Sequence, residues 1–325
     1  MKGFVKKAAA FVFALMMVVS GVACGEKESK SKELDIWLLA GQSNASGRSL
    51  IGSYQTYLEE QDARNKEGYA DVLYYGVADR ALGVERDPVI GTVRMGQGAD
   101  LSYIGPELGM ANVFADAAAY KKKNVAIVKF AASGTSLADV TSDTNAKLYG
   151  NWASPSILAK AGVKASEELS GKMFEGFEET VENALDYYTQ AGYEPTIRGL
   201  VWSQGEGDAG YYNATKEYAE NIALFFTDVR ASIGELTSEQ EGKDMTVVIA
   251  KIAPTYNGGT ALVNRVREAQ QTYIDVTENT VGLETEQFII VNEDKTINGS
   301  DRYHYNARDT YEIGKLLAGL CLESL

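Results

Sequence analysis

The sequence is poor in the residues that build disulfide frameworks and metal centres. It has two cysteines and one histidine among 325 residues. Two cysteines supply no disulfide framework, so a hydrophobic core must stabilise the chain. A zinc site needs a cluster of His or Cys ligands, and the sequence contains neither such a cluster nor a glycine-rich phosphate loop of the required spacing. We therefore predict a protein that uses no metal and no cofactor.

Basic residues are in the minority, and long apolar runs are rare. The chain has 31 Lys and Arg against 45 Asp and Glu, a formal net charge of −14. This acidity argues against a nucleic-acid partner. Residues 8–19 are apolar and follow Lys2, Lys6 and Lys7, but this run is too short to cross a membrane comfortably. Residues 1–23 are therefore predicted to be a signal peptide, and the protein is expected to be exported.

The predicted signal peptide ends in small residues that lead directly into Cys24. Such an ending resembles a bacterial lipoprotein signal, in which cleavage leaves Cys24 as a lipidated N-terminus. Residues 24–33 then read as a polar tether, and residues 34–325 as one domain. On this interpretation the protein is a cell-envelope lipoprotein that touches the membrane only through the lipid on Cys24. The alternative is ordinary signal-peptidase cleavage and secretion, because Gly21 stands where an aliphatic residue is usual.

Five short apolar runs indicate the fold. Each is nearly continuous, which is typical of strands buried on both faces of a parallel sheet. Helical patterns lie between or after them, so the sequence predicts a three-layer α/β/α sandwich with about five parallel strands. Residues 49–102, rich in Gly, Tyr and charge, are expected to be an insertion that shapes a cleft. The runs are Leu34–Leu39, Asn124–Phe130, Ile197–Trp202, Met245–Ile252 and Phe288–Val291.

Four polar motifs follow these runs. In open α/β sheets, ligands bind beyond the carboxyl ends of the strands, so the motifs are expected to meet at one edge. They are Gly41-Gln42-Ser43-Asn44, Ser133-Gly134-Thr135-Ser136, Ser203-Gln204-Gly205-Glu206-Gly207-Asp208 and Asp301-Arg302-Tyr303-His304.

A serine, a histidine and a carboxylate are the three parts of a nucleophilic triad. His304 is the only histidine, and histidine is the usual side chain for proton transfer near neutral pH. Asp301 precedes it by three residues and is placed to orient it. The alternative is that His304 only forms a hydrogen bond within a loop.

The order GQSN, GTSLAD, WSQGEGD and DRYH resembles the SGNH-type hydrolases. More narrowly, it resembles the sialate O-acetylesterase and acetylxylan esterase branch, carbohydrate esterase family six. The resemblance runs from about Ile36 to Leu317. It implies a flavodoxin-like α/β/α sandwich and a serine esterase that removes acetyl groups from an acetylated oligo- or polysaccharide.

Carried over residue by residue, the resemblance makes Ser43 the nucleophile, His304 the general base and Asp301 the acid that orients the histidine. It places the oxyanion against the backbone N–H groups of Ser43 and Gly134 and the side-chain amide of Gln204. Donors of this kind are typically worth about 3–4 kcal/mol each. Ser133 departs from the pattern, because the branch usually has glycine there.

Several alternatives stay open. Glu206 stands two residues after Gln204 and could replace or support Asp301 as the acid, or it could be a buried carboxylate paired with Arg267. Four aromatic residues are interpreted chiefly as packing, with sugar stacking as the alternative: Tyr149, Trp152, Tyr211 and Tyr212. A lipase or thioesterase would need a long apolar acyl channel, and no apolar insertion lies near the motifs. A glycan-binding surface lipoprotein on an inactive esterase fold is the non-enzymatic alternative.

Overall fold

The first predicted run forms the central strand of a seven-stranded sheet in a computed structural model of the chain. The order of the strands is β4-β3-β6-β1-β7-β8-β9, and every neighbouring pair is parallel except β3 with β4. β2 and β5 form a separate antiparallel pair. The strands are β1 (Glu33–Gly41), β2 (Ser49–Leu50), β3 (Tyr69–Ala78), β4 (Val89–Val93), β5 (Tyr103–Ile104), β6 (Asn124–Ala131), β7 (Glu194–Ser203), β8 (Thr246–Ala250) and β9 (Thr280–Leu283).

The structure describes residues 31–82, 87–140, 144–162, 169–256, 259–288 and 303–325. The predicted signal peptide, Cys24 and most of the predicted tether lie outside these residues, as does Asp301. The export, the lipid anchor and the role of Asp301 therefore stay predictions. Within the described ranges, no helix is both long enough and apolar enough to cross a membrane.

Helices cover both faces of the sheet. α4 and α12 pack against one face, and α7, α9 and α11 lie over the other. The helices are α1 (Ser43–Ser46), α2 (Gln55–Gln61), α3 (Arg64–Glu67), α4 (Glu107–Asp116), α5 (Thr144–Tyr149), α6 (Pro155–Ala161), α7 (Lys172–Gln190), α8 (Glu206–Ala209), α9 (Tyr212–Leu236), α10 (Glu239–Asp244), α11 (Ala261–Val276) and α12 (Ala307–Glu323).

β1 shows why the predicted strands have no polar alternation. Ile36 and Leu38 belong to the core beneath α7 and α9, whereas Trp37 and Leu39 belong to the core beneath α4 and α12. Both faces of the strand are dry, so both sets of side chains are apolar. The predicted three-layer α/β/α sandwich is confirmed. The strands β6-β1-β7-β8-β9 follow the chain order 2-1-3-4-5, which is the flavodoxin-like order.

The described sheet has additional strands at one edge, and the predicted run at the other edge lies mostly outside the described residues. Residues 49–102 are more than an insertion, because they contribute β3 and β4 to the sheet. At the other edge, β9 is the last strand in the described part of the chain, and it lies upstream of the predicted run Phe288–Val291. Residues 289–291 lie outside the described residues, and Phe288 is buried with its ring 6.3 Å from that of Tyr305 rather than in a strand.

Candidate active site

Ser43 lies on a tight turn where β1 meets β7. Gly41 has a φ of 140°, and a Cβ atom there would lie 2.0 Å from the carbonyl oxygen of Ser203, so glycine is required. The Gln42 N–H donates to the same oxygen at 2.9 Å. The chain then enters α1, with Ser43 as its first residue. In the 2-1-3-4-5 order, ligands bind at this β1/β7 switch point.

A buried lysine holds the other end of α1. Lys129 on β6 is fully buried, and its Nζ donates to the carbonyl oxygens of Ser46 at 3.0 Å and Gln97 at 2.8 Å. It also forms an ion pair with buried Glu107 at 3.0 Å. Burial lowers the pKa of Lys129 and raises the pKa of Glu107. A four-residue helix is not stable alone, so these contacts fix the turn that carries Ser43.

Glu206 joins the turn of Ser43 to the end of β7. It is the first residue of α8 and is 2% exposed, and the Asn44 Nδ2 donates to its Oε1 at 2.8 Å. Burial raises the pKa of Glu206, while the hydrogen bond from Asn44 and the Coulomb interaction with His304 lower it. Its buried Oε2 has no hydrogen-bond partner among the described residues. Glu206 therefore lies within electrostatic reach of the single histidine.

Glu206 is buried, as one alternative expected, but the pairing with Arg267 that this alternative suggested is not formed. Arg267 donates instead to Glu284 at 2.8 Å and Glu286 at 3.2 Å, and to the carbonyl oxygen of Ile252. Arg267, which lies on α11, thus binds the segment that follows β9. In the described part of the chain, the side-chain donor to the Glu206 carboxylate is Asn44 rather than Arg267.

A serine downstream of α1 fastens the segment of His304. Ser49 is 3% exposed, and its hydroxyl donates to the carbonyl oxygen of Tyr305 at 2.8 Å. The hydroxyl of Thr310, in the first turns of α12, is its second partner. Asn306 caps α12 by accepting from the Asp309 N–H at 2.8 Å. The short segments that carry Ser43 and His304 are therefore bonded to each other.

The loop after β6 presents Gly134 in a left-handed conformation. Its φ is 70°, and a Cβ atom there would lie 2.2 Å from the Asn145 Nδ2. Ser133 anchors this loop, because its N–H donates to the Asp79 Oδ1 at 2.7 Å and its hydroxyl donates to Oδ2 at 3.1 Å. Arg48 donates to the Ser133 hydroxyl at 2.9 Å and pairs with Asp79 at 2.6 Å. The serine that departs from the family pattern thus has a defined anchoring role.

The side-chain amide of Gln204 forms hydrogen bonds with groups of the protein itself. It is fully buried, and its Nε2 donates to the Thr135 carbonyl at 3.1 Å and to the Asp208 Oδ2 at 2.6 Å. Its Oε1 accepts from the Tyr218 hydroxyl at 3.3 Å. This geometry conflicts with the predicted oxyanion role, because both amide hydrogens are already in use. In this structure Gln204 joins the loop after β6 to α8.

Asp208, on α8, also joins this helix to the loop after β6. It is fully buried and accepts from the Leu137 N–H at 2.8 Å, the Ala138 N–H at 2.9 Å and Gln204. Burial raises the pKa of Asp208 to about 6, although these donors act against the shift. The loop that carries Gly134 therefore depends on a carboxylate that titrates in a mildly acidic range.

We expect Asp208→Asn to change how stability depends on pH. The pKa of Asp208 is raised from 3.8 to about 6 in the folded protein, so the folded state binds this proton more tightly than the unfolded state. Its contribution to the free energy of unfolding therefore falls as the pH rises from about 4 to about 6, by up to about 3 kcal/mol. Chemical denaturation at pH 4 and pH 7 should show a loss of stability that is larger in the wild type than in Asp208→Asn by up to this amount. The same pH response in both proteins would contradict it.

The four aromatic residues for which sugar stacking was the alternative differ in their exposure to solvent. Trp152 is fully buried and Tyr149 is 8% exposed, so the interpretation of both as packing is confirmed. Trp152 packs edge-on against Trp202, with ring centres 4.9 Å apart, and donates to the Thr135 hydroxyl at 3.0 Å. Tyr212 is exposed, and the Lys216 ammonium lies 4.2 Å from its ring centre. Tyr211 is only partly buried.

Several residues of the site escaped the sequence reasoning. Gln42 was noted only as part of a motif, yet its Oε1 accepts from the Gly207 N–H at 2.9 Å and so ties α8 to the turn of Ser43. Lys129 gave one signal, a charge inside an otherwise apolar run. Asn44 and Asp208 were likewise named only as parts of motifs, and Arg48, Ser49 and Asp79 become partners only through the fold. Within the described ranges, no group of three or more His, Cys, Asp or Glu side chains is arranged to hold a metal ion.

Ser43 on a strand-to-helix turn, His304 and the buried Glu206 are the residue types that a nucleophilic triad uses. Residues 33–323 match the family model described as "Carbohydrate esterase, sialic acid-specific acetylesterase". The chain belongs to this carbohydrate esterase family. A search of curated proteins gives no significant match.

Solved structures share the fold. A protein from Arabidopsis thaliana is 17% identical, with 89% of this chain and 98% of that one covered and a TM-score of 0.54. NanS is 12% identical over 90% of this chain and 98% of its own, with a TM-score of 0.59. A carbohydrate acetylesterase from Xanthomonas citri is 15% identical over 87% of this chain and 54% of its own, with a TM-score of 0.51. At these identities the likeness concerns the fold.

Proposed function

We propose that this protein is a serine esterase that removes O-acetyl groups from a carbohydrate of the acetylxylan or sialate type. The observation that carries the proposal is that three segments far apart in sequence meet at one edge of the sheet. Asn44 donates to Glu206, Ser49 donates to the carbonyl oxygen of Tyr305 next to His304, and the Coulomb interaction with His304 lowers the pKa of Glu206. Membership of the carbohydrate esterase family supports the acetyl group and the sugar.

The proposed acylation step uses these groups. The Ser43 hydroxyl oxygen attacks the acetyl carbonyl carbon while His304 takes its proton. The backbone N–H groups of Ser43 and Gly134 donate to the oxyanion of the tetrahedral intermediate, and each such donor is typically worth about 3–4 kcal/mol. The intermediate then expels the sugar oxygen, which takes the proton from His304, and an acetyl group remains on Ser43.

Deacylation uses the same groups. A water molecule is now the nucleophile, and the Ser43 oxygen is the leaving group. His304 takes a proton from a water molecule, and the resulting nucleophile attacks the acetyl carbonyl carbon. The second tetrahedral intermediate expels the Ser43 oxygen, which regains the proton from His304, and acetic acid leaves and ionises to acetate by giving its proton to solvent. Neither step needs an electron acceptor.

We assign the acid of the triad to Glu206, with Asp301 as the assignment that the sequence spacing favours. Glu206 is supported by its burial, by the bond from Asn44 that fixes one oxygen, and by its electrostatic interaction with His304. A buried carboxylate beside the base stabilises the imidazolium that forms when Ser43 is deprotonated. Gln204 contributes by holding the loop of Gly134 in place.

Short acyl groups are the expected substrates. Purified protein should release acetate from acetylated xylo-oligosaccharides or from O-acetylated sialic acid, and should hydrolyse 4-nitrophenyl acetate at least about 10-fold faster than the butyrate. A 10-fold preference corresponds to about 1.4 kcal/mol, the size of effect that one or two methylene groups have in a tight pocket. A preference for butyrate would support a lipase or thioesterase. Glycan binding without any ester hydrolysis would support the non-catalytic alternative.

A further inference from the structure

An exposed aromatic pair lies beside His304. Tyr303 precedes the histidine in the chain, is 43% exposed, and has its ring centre 6.4 Å from the imidazole centre. The ring of Tyr256, in the segment that follows β8, lies 5.5 Å from the ring of Tyr303. Tyr256 is only partly buried but packs against both hydrophobic cores. The pair thus consists of an anchored ring and an accessible ring.

The proposed reaction determines which part of the substrate lies beside Tyr303 and Tyr256. His304 must deliver a proton to the leaving sugar oxygen, which requires hydrogen-bond reach of about 2.6–3.2 Å. The sugar bonded to that oxygen therefore extends over the surface around the imidazole. A ring whose centre is 6.4 Å from the imidazole centre lies within the width of one sugar ring.

The chemistry of a tyrosine ring fits a cyclic sugar. A pyranose presents axial C–H groups on one face and hydroxyl groups at its edge. A tyrosine has an apolar face with a polar hydroxyl at its rim, so it can pack against the C–H face while its hydroxyl stays hydrated or bonded. An acyclic or small aliphatic alcohol offers no comparable face.

We propose that Tyr303, supported by Tyr256, forms a leaving-group subsite that binds the pyranose ring of the acetylated sugar. The subsite rests on the proposed esterase function and adds a selection by the alcohol part of the ester. It gives the enzyme a preference for acetyl groups on cyclic sugars over acetyl groups on small aliphatic alcohols.

Tyr187 provides a matched control. It is also 43% exposed and also lies against another tyrosine, with its ring centre 5.4 Å from that of Tyr188. It is near the end of α7, and the chain enters β7 soon afterwards, so it lies at the amino-terminal edge of the sheet, opposite the site. Loss of an exposed tyrosine ring alone is therefore separable from loss of a ring beside His304.

The test compares two acetyl esters in purified full-length variants. The measured quantity is the ratio of kcat/KM for mono-O-acetylated methyl xylopyranoside to kcat/KM for ethyl acetate. We expect Tyr303→Ala to lower this ratio about 10-fold, mainly through KM for the sugar, which corresponds to about 1.4 kcal/mol. Tyr303→Phe keeps the ring and should keep the ratio, and Tyr187→Ala should leave it at the wild-type value.

Each of the following results would overturn the proposed subsite, its local character or the esterase function on which it rests. A ratio that changes less than twofold in Tyr303→Ala overturns the subsite while leaving the esterase intact. Equal losses on both esters also overturn it, because Tyr303 would then act by positioning His304. An equal fall of the ratio in Tyr187→Ala would show that the effect is not local. Wild-type protein that releases acetate from neither ester contradicts the proposed function itself, and the subsite falls with it.

Discussion

Ser43→Ala is expected to abolish ester hydrolysis while leaving the fold intact. Removing the nucleophile of a triad typically costs about 10⁴-fold or more in kcat, with only the residual effect of the oxyanion donors remaining. The side chain is small and 5% exposed, so its loss opens no large cavity. Initial rates with 4-nitrophenyl acetate and thermal unfolding of both proteins test this. Retained activity above about 10% of the wild type would exclude Ser43 as the nucleophile.

Ser46→Ala is the matched control for that variant. Ser46 ends the same short helix, is fully buried, and its hydroxyl has no hydrogen-bond partner among the described residues. Removing this hydroxyl leaves the contact between the Ser46 carbonyl and Lys129 in place. We expect the activity of Ser46→Ala to stay within about twofold of the wild type. A loss as large as that of Ser43→Ala would mean that any change in the turn is disabling.

Glu206→Gln is expected to cost about 10³- to 10⁴-fold in kcat, and Asp301→Asn much less. The amide is nearly isosteric, and its oxygen can still accept from Asn44, but it cannot stabilise the imidazolium of His304. Replacing the acid of a triad by its amide typically has an effect of this size. The two single variants and the wild type are compared by kcat and by thermal unfolding.

The reverse order of the two losses would restore the assignment that the spacing favours. If Asp301→Asn were the disabling change, Glu206 would be a carboxylate that holds Asn44 and the turn of Ser43. Similar intermediate losses in both variants would contradict a single acid, and the double variant would then show whether they act together.

The sequence predicted the parts of the fold whose side chains are apolar on both faces. β1, β6, β7 and β8 contain short, nearly continuous apolar runs, because burial on two faces favours apolar side chains. β4 could not be predicted in this way, because it is an edge strand with Val89 and Ile90 exposed at 45% and 41%. β9 is only four residues long and includes Gly282, so it carries too little pattern to outweigh the apolar residues from Phe288 onwards.

The sequence motifs predicted which loops form the site, but they did not predict which side chains contact each other there. Ser43, Gly134 and Gln204 follow strands, and the order of the strands brings them to one edge. The contacts of Lys129 with Ser46 and of Ser133 with Asp79 join residues that only the folded sheet makes neighbours. Gln204 is instructive, because its position was predicted while its donors proved to be committed elsewhere.

The most direct test of the account is covalent labelling of the nucleophile. A fluorophosphonate reacts with a serine activated by a neighbouring base and reports the chemistry without depending on the natural substrate. Incubation with this reagent followed by peptide mass spectrometry should give one modification, on Ser43. The label should be absent in Ser43→Ala and much slower to form in His304→Ala. Labelling of another serine, or labelling of Ser43 at the same rate without His304, would contradict the proposed catalytic site.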